Sequence, residues 1–165
     1  MAFEGSYLWQ LRQAVGSALV LMPGAMAALL RNDDREVLLT LRADDGTWCL
    51  PGGGAEVGGS FARTAVDEMA EEIGVEVAAA DLVAFGCLSE AETHTCTYAG
   101  GDVTHCFALC FLARAWSGEA RPDEDELTEI VFADRAALPE PIHPPTAHAL
   151  ALLDRYLESG SFQVA

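Results

Sequence analysis

Three glutamates, Glu68, Glu71 and Glu72, lie within five positions near the end of a predicted helix. A helix that advances about 100° per residue places all three carboxylates on one face, beside an apolar stripe. Like charges four residues apart destabilise a helix, and carboxylates near its C-terminal end oppose the helix dipole. A bound hard divalent cation would make this arrangement favourable, so the trio predicts a Mg²⁺ site. The alternative is a solvated acidic face on an acidic protein.

A glycine-rich segment precedes this helix, with five glycines in residues 52–59. Ser60 fits a helix N-cap and Gly74 fits a helix stop, so Phe61–Ile73 is predicted to be the helix. Glycine allows a backbone to approach a ligand closely and exposes its polar groups. The segment and the helix are therefore expected to act on one ligand.

The whole stretch resembles the Nudix box, G-x5-E-x7-R-E-U-x-E-E-x-G-U, in which U is a bulky apolar residue. Gly53 opens the box, and the residues from Glu68 to Val75 follow in register. The lead-in TWCLPGG and the late segment DELTEIVF also look like the family. The resemblance implies an α/β/α sandwich with a mixed β-sheet. It also implies hydrolysis of a nucleoside diphosphate linked to another group.

The resemblance also implies roles for individual residues. A loop carbonyl, at Gly52 or Gly53, and the three glutamates are the implied metal ligands, with Mg²⁺ as cofactor and Mn²⁺ as a substitute. The general base is one of the trio or a residue on a later loop or strand, and this choice stays open. The implied catalytic residues are Glu68, Glu71, Glu72, Glu126 and Glu129. The implied substrate contacts are Arg42, Gly53, Gly54 and Glu56, of which Glu56 could instead hold outer-shell water or support the turn.

Two positions depart from the box: Gly59 stands where the family has Glu, and Asp67 where it has Arg. One explanation is that the protein keeps the fold but has lost efficient catalysis, which would leave a nucleotide-binding or sensor module. The other is that a different ion pair replaces the one in the box, because Arg63 lies four residues before Asp67 on the same helix face and can supply the positive charge. All three presumed metal ligands are retained, which favours a working enzyme.

Composition limits the partners of this protein. The formal net charge of the 165 residues is −17, and the nine basic residues are all arginine, which weighs against nucleic acid and anionic membranes. The expected substrates are nucleoside triphosphates, nucleotide sugars or ADP-ribose-like compounds, and no subfamily marker after the box chooses among them. No signal peptide is recognised, and five scattered cysteines are interpreted as reduced thiols of a cytoplasmic protein. The resemblance also implies that the protein can form a homodimer.

Residues 1–165 are expected to form a single domain, with an N-terminal helix at about 6–15 and a C-terminal helix at about 146–158. The other segments with strand character are Leu19–Met22, Ala25–Leu30, Val37–Leu41, Trp48–Leu50, Leu82–Leu88, Thr104–Ala115 and Glu129–Phe132. A hairpin is expected to begin near Thr93–Tyr98 and to turn at residues 99–102.

Overall fold

A computed structural model describes residues 4–98 and 100–165. Its helices are α1 (Tyr7–Val15), α2 (Phe61–Ile73), α3 (Ala91–His94) and α4 (Pro144–Ser159). Its strands are β1 (Val20–Arg31), β2 (Glu36–Arg42), β3 (Trp48–Cys49), β4 (Gly52–Gly54), β5 (Val83–Leu88), β6 (Thr95–Thr97), β7 (Val103–Ala113), β8 (Leu127–Asp134) and β9 (Gln163–Val164). None of the helices in this described part is long and apolar enough to cross a membrane.

Strand β1 is the centre of a mixed sheet. It pairs in parallel with β7 over ten residues, and antiparallel with β4 and with the start of β2. Strand β7 continues the sheet through antiparallel pairing with β5 and β6, and β5 pairs in parallel with β9. At the other end, β2 pairs antiparallel with β3 and β8. The glycine strand β4 therefore lies directly beside the central strand.

The two long helices, α2 and α4, cover opposite faces of this sheet. Alternate residues of a strand point to opposite faces, and β1 accordingly sends Ala25, Ala27 and Leu29 into the core beneath α2. The intervening Ala28 and Leu30 pack in the core that α4 completes. Full burial of each large aliphatic side chain contributes about 1.5–3 kcal/mol. The predicted α/β/α sandwich with a mixed sheet is confirmed.

The helices lie close to the positions that capping residues and helix-ending residues predict. Helix α2 has the predicted bounds; the Ser60 hydroxyl accepts a hydrogen bond from the Arg63 amide at 3.2 Å, and Gly74 is left-handed at φ 68°. The N-terminal helix begins at Tyr7, and the C-terminal helix begins at Pro144, earlier than expected. Proline is tolerated in the first turn because the amide there has no helical partner.

The strand predictions need three corrections. The break expected at Pro23–Gly24 is absent, because β1 runs through both residues without interruption. The glycine segment was expected to be a loop, but residues 52–54 form strand β4. Strand β8 is longer than predicted at both ends. The predicted turn at 99–102 falls partly on Ala99, which lies outside the described residues, and the Tyr98 amide bonds to the Asp102 carbonyl at 2.9 Å across it.

Candidate active site

Helix α2 packs two of its carboxylates against the glycine strand β4. The Gly52 amide donates a hydrogen bond to Oε2 of Glu72 at 3.1 Å. A Cβ added at Gly53 would lie only 2.1 Å from Oε1 of Glu68, and one at Gly24 would lie 2.5 Å from the Gly53 carbonyl oxygen. Strand β1, strand β4 and the Glu68 carboxylate therefore stack at distances that admit no side chain between them. At Gly24 the neighbouring atoms belong to the backbone, so glycine is required there, whereas at Gly53 a Cβ would displace the end of the Glu68 side chain.

Burial makes these two carboxylates unusually basic. It raises the pKa of Glu72 to about 8 and that of Glu68 to about 7, because the charged forms lose hydration. Repulsion adds to both increases in pKa: Glu68 acts on Glu72, and Glu71 and then Glu126 act on Glu68. The Gly52 amide and the charge of Arg42 lower the pKa of Glu72 in part. Near neutral pH the pair holds protons that a bound cation would displace.

The third glutamate of the trio differs from the other two. Glu71 is exposed, whereas Glu68 and Glu72 are half-buried. Its charge still raises the pKa of Glu68 and that of Glu126. The three carboxylates therefore lie on helix α2 as the sequence predicted, but only Glu68 and Glu72 are partly covered by the glycine strand.

The loop before β8 brings Glu126 to the same cluster. The Asp123 amide donates to the Glu72 carbonyl at 2.8 Å, which ties the loop to the end of α2, and the Glu126 amide donates to the Asp123 carbonyl at 3.0 Å. Glu126 is half-buried, and its pKa is raised first by burial and then by Asp123. Glu129 is exposed on β8 opposite Leu41. The structure thus separates the two late acidic candidates.

Arg42 supplies positive charge beside the acidic cluster. It ends β2, and its guanidinium binds Asp44 in a bidentate manner at 2.9 and 2.5 Å, with Asp45 at 3.5 Å. Its charge lowers the pKa of Glu72 and that of Glu126. Asp44 was not predicted from the sequence; the signal was an acidic residue two positions after a strand-terminal arginine. A planar guanidinium held in this way is suited to a phosphate.

The remaining predicted substrate contacts lie at the edge of this arrangement. Glu56 is exposed, and both of its carboxylate oxygens accept from the Tyr7 amide at 3.0 Å, so it caps the start of α1. A Cβ at Gly54 would lie 3.2 Å from Sδ of Met22, so Gly54 packs on β1 and not on the carboxylates. Glu56 therefore links the glycine segment to α1, a contact that the sequence did not predict, and its contact with substrate stays a prediction.

The sequence matches the NUDIX domain profile over residues 21–153. The chain belongs to the Nudix family. Among solved structures, a MutT Nudix hydrolase from Burkholderia pseudomallei is 26% identical, with a TM-score of 0.63 over 81% of this chain and 98% of the other. An ADP-ribose pyrophosphatase from Streptococcus suis is 25% identical, with a TM-score of 0.65 over 87% and 98%. A UDP-X diphosphatase, at 14% identity and a TM-score of 0.64 over 99% and 76%, shares the fold. Comparison with curated proteins finds no significant match.

The family and these hydrolase neighbours identify the protein as a Nudix hydrolase that acts on phosphoanhydride bonds. At the Arg position of the box, Asp67 forms an ion pair with Arg63 at 2.6 Å, so the predicted substitute pair is confirmed. The two side chains are 41% and 72% exposed, and such a pair contributes about 0.3–0.5 kcal/mol. At the other departure, the Gly59 amide bonds to the Glu56 carbonyl at 2.9 Å.

Nudix hydrolases generally use divalent metal ions, and hard ions such as Mg²⁺ require oxygen ligands. Within residues 4–98 and 100–165, no three acidic, histidine or cysteine side chains converge into a ready-made metal site. Mg²⁺ is often bound by one or two carboxylates together with waters and substrate phosphates. Glu68 and Glu72, held against the backbone of Gly52 and Gly53, fit that smaller requirement. The residues present therefore suit a metal that arrives with its substrate.

Proposed function

We propose that this Nudix hydrolase is a Mg²⁺-dependent pyrophosphohydrolase that cleaves a nucleoside diphosphate linked to another group. The observation that supports this most directly is the pair Glu68 and Glu72, which are half-buried against the glycine strand and have raised pKa values. Two carboxylates are costly in such a place unless a cation compensates them. The substrate classes that we propose are nucleoside triphosphates, nucleotide sugars and ADP-ribose-like compounds.

In this proposal, Glu68, Glu72 and the Gly52 carbonyl hold Mg²⁺, or Mn²⁺ in its place, and Glu71 contributes through water. When bound, the metal neutralises the pyrophosphate and acidifies the attacking water. The Gly52 amide keeps the Glu72 carboxylate in its orientation at 3.1 Å. Arg42 exchanges part of its bidentate contact with Asp44 for a phosphate oxygen.

We further propose Glu126 as the residue that accepts the proton of the water, in preference to Glu129. Glu126 is half-buried beside the cluster, and its raised pKa brings it closer to neutral pH, where a general base is most effective. Glu129 is exposed on β8 and serves as the matched comparison. Glu126→Gln is expected to lower kcat by about 10²-fold or more, whereas Glu129→Gln is expected to leave kcat within a few-fold. The opposite pattern would assign the base to Glu129.

The central test is the release of phosphate or pyrophosphate from a panel of the three nucleotide classes with Mg²⁺ or Mn²⁺. Hydrolysis that requires the metal and is lost in Glu72→Gln is the expected result. A variant of an exposed acid on α4, Glu158→Gln, controls for the change of charge. Hydrolysis that persists in the presence of chelator, or in Glu72→Gln, would contradict the proposal.

The second candidate function is a non-catalytic nucleotide-binding module, and the departures at Gly59 and Asp67 are the observations that favour it. Calorimetry with the same panel separates the two candidates. Micromolar binding without turnover of any nucleotide would support the module. Turnover that depends on Glu72 would exclude it.

We also propose a homodimer and a cytoplasmic location. The support for a dimer is an exposed apolar surface formed by Leu21 on β1 and Phe107 on β7, which are 60% and 36% exposed, together with Leu19 just before β1, which is 57% exposed. The support for the location is that the five cysteines are free thiols. Light scattering of the purified protein, with Leu21→Ser as a variant, tests the dimer. A monomer at all concentrations would overturn it.

A further inference from the structure

A pocket of about 370 Å³ opens between helix α1 and the start of helix α2. Its walls include Tyr7, Pro23, Val57 and Phe61. Tyr7 and Phe61 are each 41% exposed, and Val57 is 82% exposed. Several large apolar side chains are therefore open to water around one concave surface. A ligand that covered them would gain hydrophobic free energy.

The pocket lies along the same groove between α2 and β4 as the acidic pair of the candidate site. Phe61 and Glu68 are seven residues apart, so they share a face of α2 and are separated by about 10 Å along its axis. On the opposite wall, Glu68 packs against Gly53, and Ala55, two residues further along the chain, lines the pocket. The Ala55 amide donates to the Pro23 carbonyl at 2.8 Å, which continues the pairing of β4 with β1. Two extended residues span about 7 Å, so the pocket begins roughly 7–10 Å from the carboxylates.

This arrangement has the linear order of a nucleotide. Along β4, the contact with Glu72 comes first, the contact with Glu68 comes second, and the pocket at Ala55 comes third. A ribose and its 5′-phosphate have the length needed to join a diphosphate at the two glutamates to a ring in the pocket. Tyr7 lies outside residues 21–153, which match the NUDIX profile, so this wall of the pocket is a feature of this chain.

The charge of the pocket selects the part of a nucleotide that can enter it. Within the described part of the chain, Glu56 is the one charged residue that lines the pocket, and both of its carboxylate oxygens accept from the Tyr7 amide at 3.0 Å. A carboxylate repels a phosphate, and the hydroxyl groups of a sugar would lose water against apolar walls. A nucleobase is uncharged, its faces stack on aromatic rings, and its N–H groups can donate to the remaining lone pairs of a carboxylate.

We propose that this pocket binds the nucleobase of the substrate, with Tyr7 and Phe61 as the side chains that stack on it. The inference rests on the proposed function and makes it more specific. The nucleoside half of the substrate is recognised in the pocket, while Glu68 and Glu72 hold the metal-bound diphosphate. The group on the other side of the diphosphate lies outside the pocket. Substrates that share a base but differ in that group should therefore compete for one site.

Photoaffinity labelling tests the location of the base without any turnover. The probes are 8-azidoadenosine monophosphate and 8-azidoguanosine monophosphate, which contain no phosphoanhydride bond and are bound to the whole protein in the presence of Mg²⁺. After irradiation, trypsin separates Tyr7 in peptide 1–12 from Phe61 in peptide 43–63, because every basic residue of the chain is arginine. Fragmentation of the labelled peptides then locates each adduct.

With at least one probe, the expected adducts lie on Tyr7 or within residues 55–61. An excess of the unmodified nucleoside monophosphate should suppress them, whereas the same concentration of ribose 5-phosphate should suppress them much less. Labelling confined to other residues, such as peptide 64–114 or Trp48, would overturn the proposal. Labelling that the competing nucleotide does not suppress would overturn it as well.

Steady-state kinetics measures the contribution of the two rings. Tyr7→Ala and Phe61→Ala should each raise KM for the best nucleotide of the panel by roughly 5- to 100-fold, as loss of base stacking does. The value of kcat should stay within about threefold, because the contact is the same in the ground state and the transition state. Tyr7→Phe and Phe61→Tyr keep an aromatic ring and should restore KM. Phe162→Ala is the matched control, since Phe162 is 49% exposed and does not line the pocket.

Failure of this inference and failure of the proposed function give different results. If no nucleotide is hydrolysed, the proposed function fails, while the labelling still reports whether the base binds in the pocket. If hydrolysis requires Glu72 but neither the labelling nor KM depends on Tyr7 or Phe61, the assignment of the pocket is wrong and the proposed function stands. A loss of kcat alone in both alanine variants would also contradict the assignment.

Discussion

Glu72→Gln tests the electrostatic basis of the candidate site through protein stability. Gln is almost isosteric with Glu, and its side-chain oxygen can still accept the hydrogen bond from the Gly52 amide. The substitution therefore removes the buried charge and leaves the packing of α2 on β4 in place. In protein freed of divalent ions by chelator, we expect the variant to be more stable than the wild type above neutral pH.

The magnitude follows from the raised pKa of Glu72, which is about 8 in the folded protein and 4.5 for an ordinary glutamate. The folded state holds this proton more tightly, so the stabilisation is present below about pH 4.5 and is lost as the pH rises towards 8. One unit of pKa difference corresponds to about 1.36 kcal/mol, so the free energy of unfolding that is lost between pH 4.5 and pH 8 is at most about 4 kcal/mol. Relaxation of the cluster and entry of water reduce it, so we expect about 2–3 kcal/mol at pH 8.

Urea unfolding of wild type, Glu72→Gln and Glu158→Gln between pH 5 and pH 8 measures this difference. The free energy of unfolding of Glu72→Gln minus that of the wild type should increase steadily with pH. Glu158→Gln, on the exposed face of α4, should differ from the wild type by less than about 0.5 kcal/mol at every pH. A difference that does not change with pH, or a variant less stable than wild type at pH 8, would refute the reasoning. Mg²⁺ should then raise the melting temperature of the wild type but not that of Glu72→Gln.

Three further predictions concern Gly53, His94 and Asp67. In Gly53→Ala, the new Cβ would fall 2.1 Å from Oε1 of Glu68, so Mg²⁺-dependent turnover should fall at least about tenfold, whereas Gly100→Ala, which meets nothing within 4 Å, should not change it. His94 is buried, its pKa is lowered by burial, and its ring nitrogens have no hydrogen-bond partner among the described residues. In urea unfolding, the free energy of unfolding of the wild type minus that of His94→Leu should therefore fall as the pH drops below about 6.5, and a difference that does not change with pH would contradict this. Asp67→Arg removes a charge that raises the pKa of Glu68 and should increase turnover a few-fold at pH 7; no change in rate or metal affinity would argue against a role for that position.

The sequence predicted the elements whose limits depend on neighbouring residues. Helix α2 has its predicted bounds because Ser60 caps one end and the left-handed Gly74 terminates the other, and both effects act within four residues. The face that carries Glu68 and Glu72 follows from the helical repeat alone. These properties need no knowledge of the rest of the chain.

Properties that depend on distant contacts could not be predicted in this way. Pro23 and Gly24 are typical of a turn, but β1 continues through them because β7 pairs along its length and Gly24 admits the Gly53 carbonyl. The difference between Glu126 and Glu129 depends on a loop that is tied to the end of α2. The placement of Cys96 opposite Thr104 depends on the register of β6 against β7, which no local pattern specifies.

The departure from the Nudix box at Asp67 changes the charge around the site. Asp67 is neutralised locally by Arg63 on an exposed helix face, yet its charge still raises the pKa of Glu68. The arginine that the box places at this position would have lowered it. Arg42 instead lowers the pKa of the neighbouring glutamate, Glu72. Arg42 is also the proposed phosphate ligand, so binding of the substrate would draw its positive charge away from Glu72. The bound metal would then compensate the negative charge of the carboxylates in its place. Metal and nucleotide should therefore bind cooperatively in this protein, and Arg42→Gln should weaken that cooperativity more than it weakens the binding of Mg²⁺ alone.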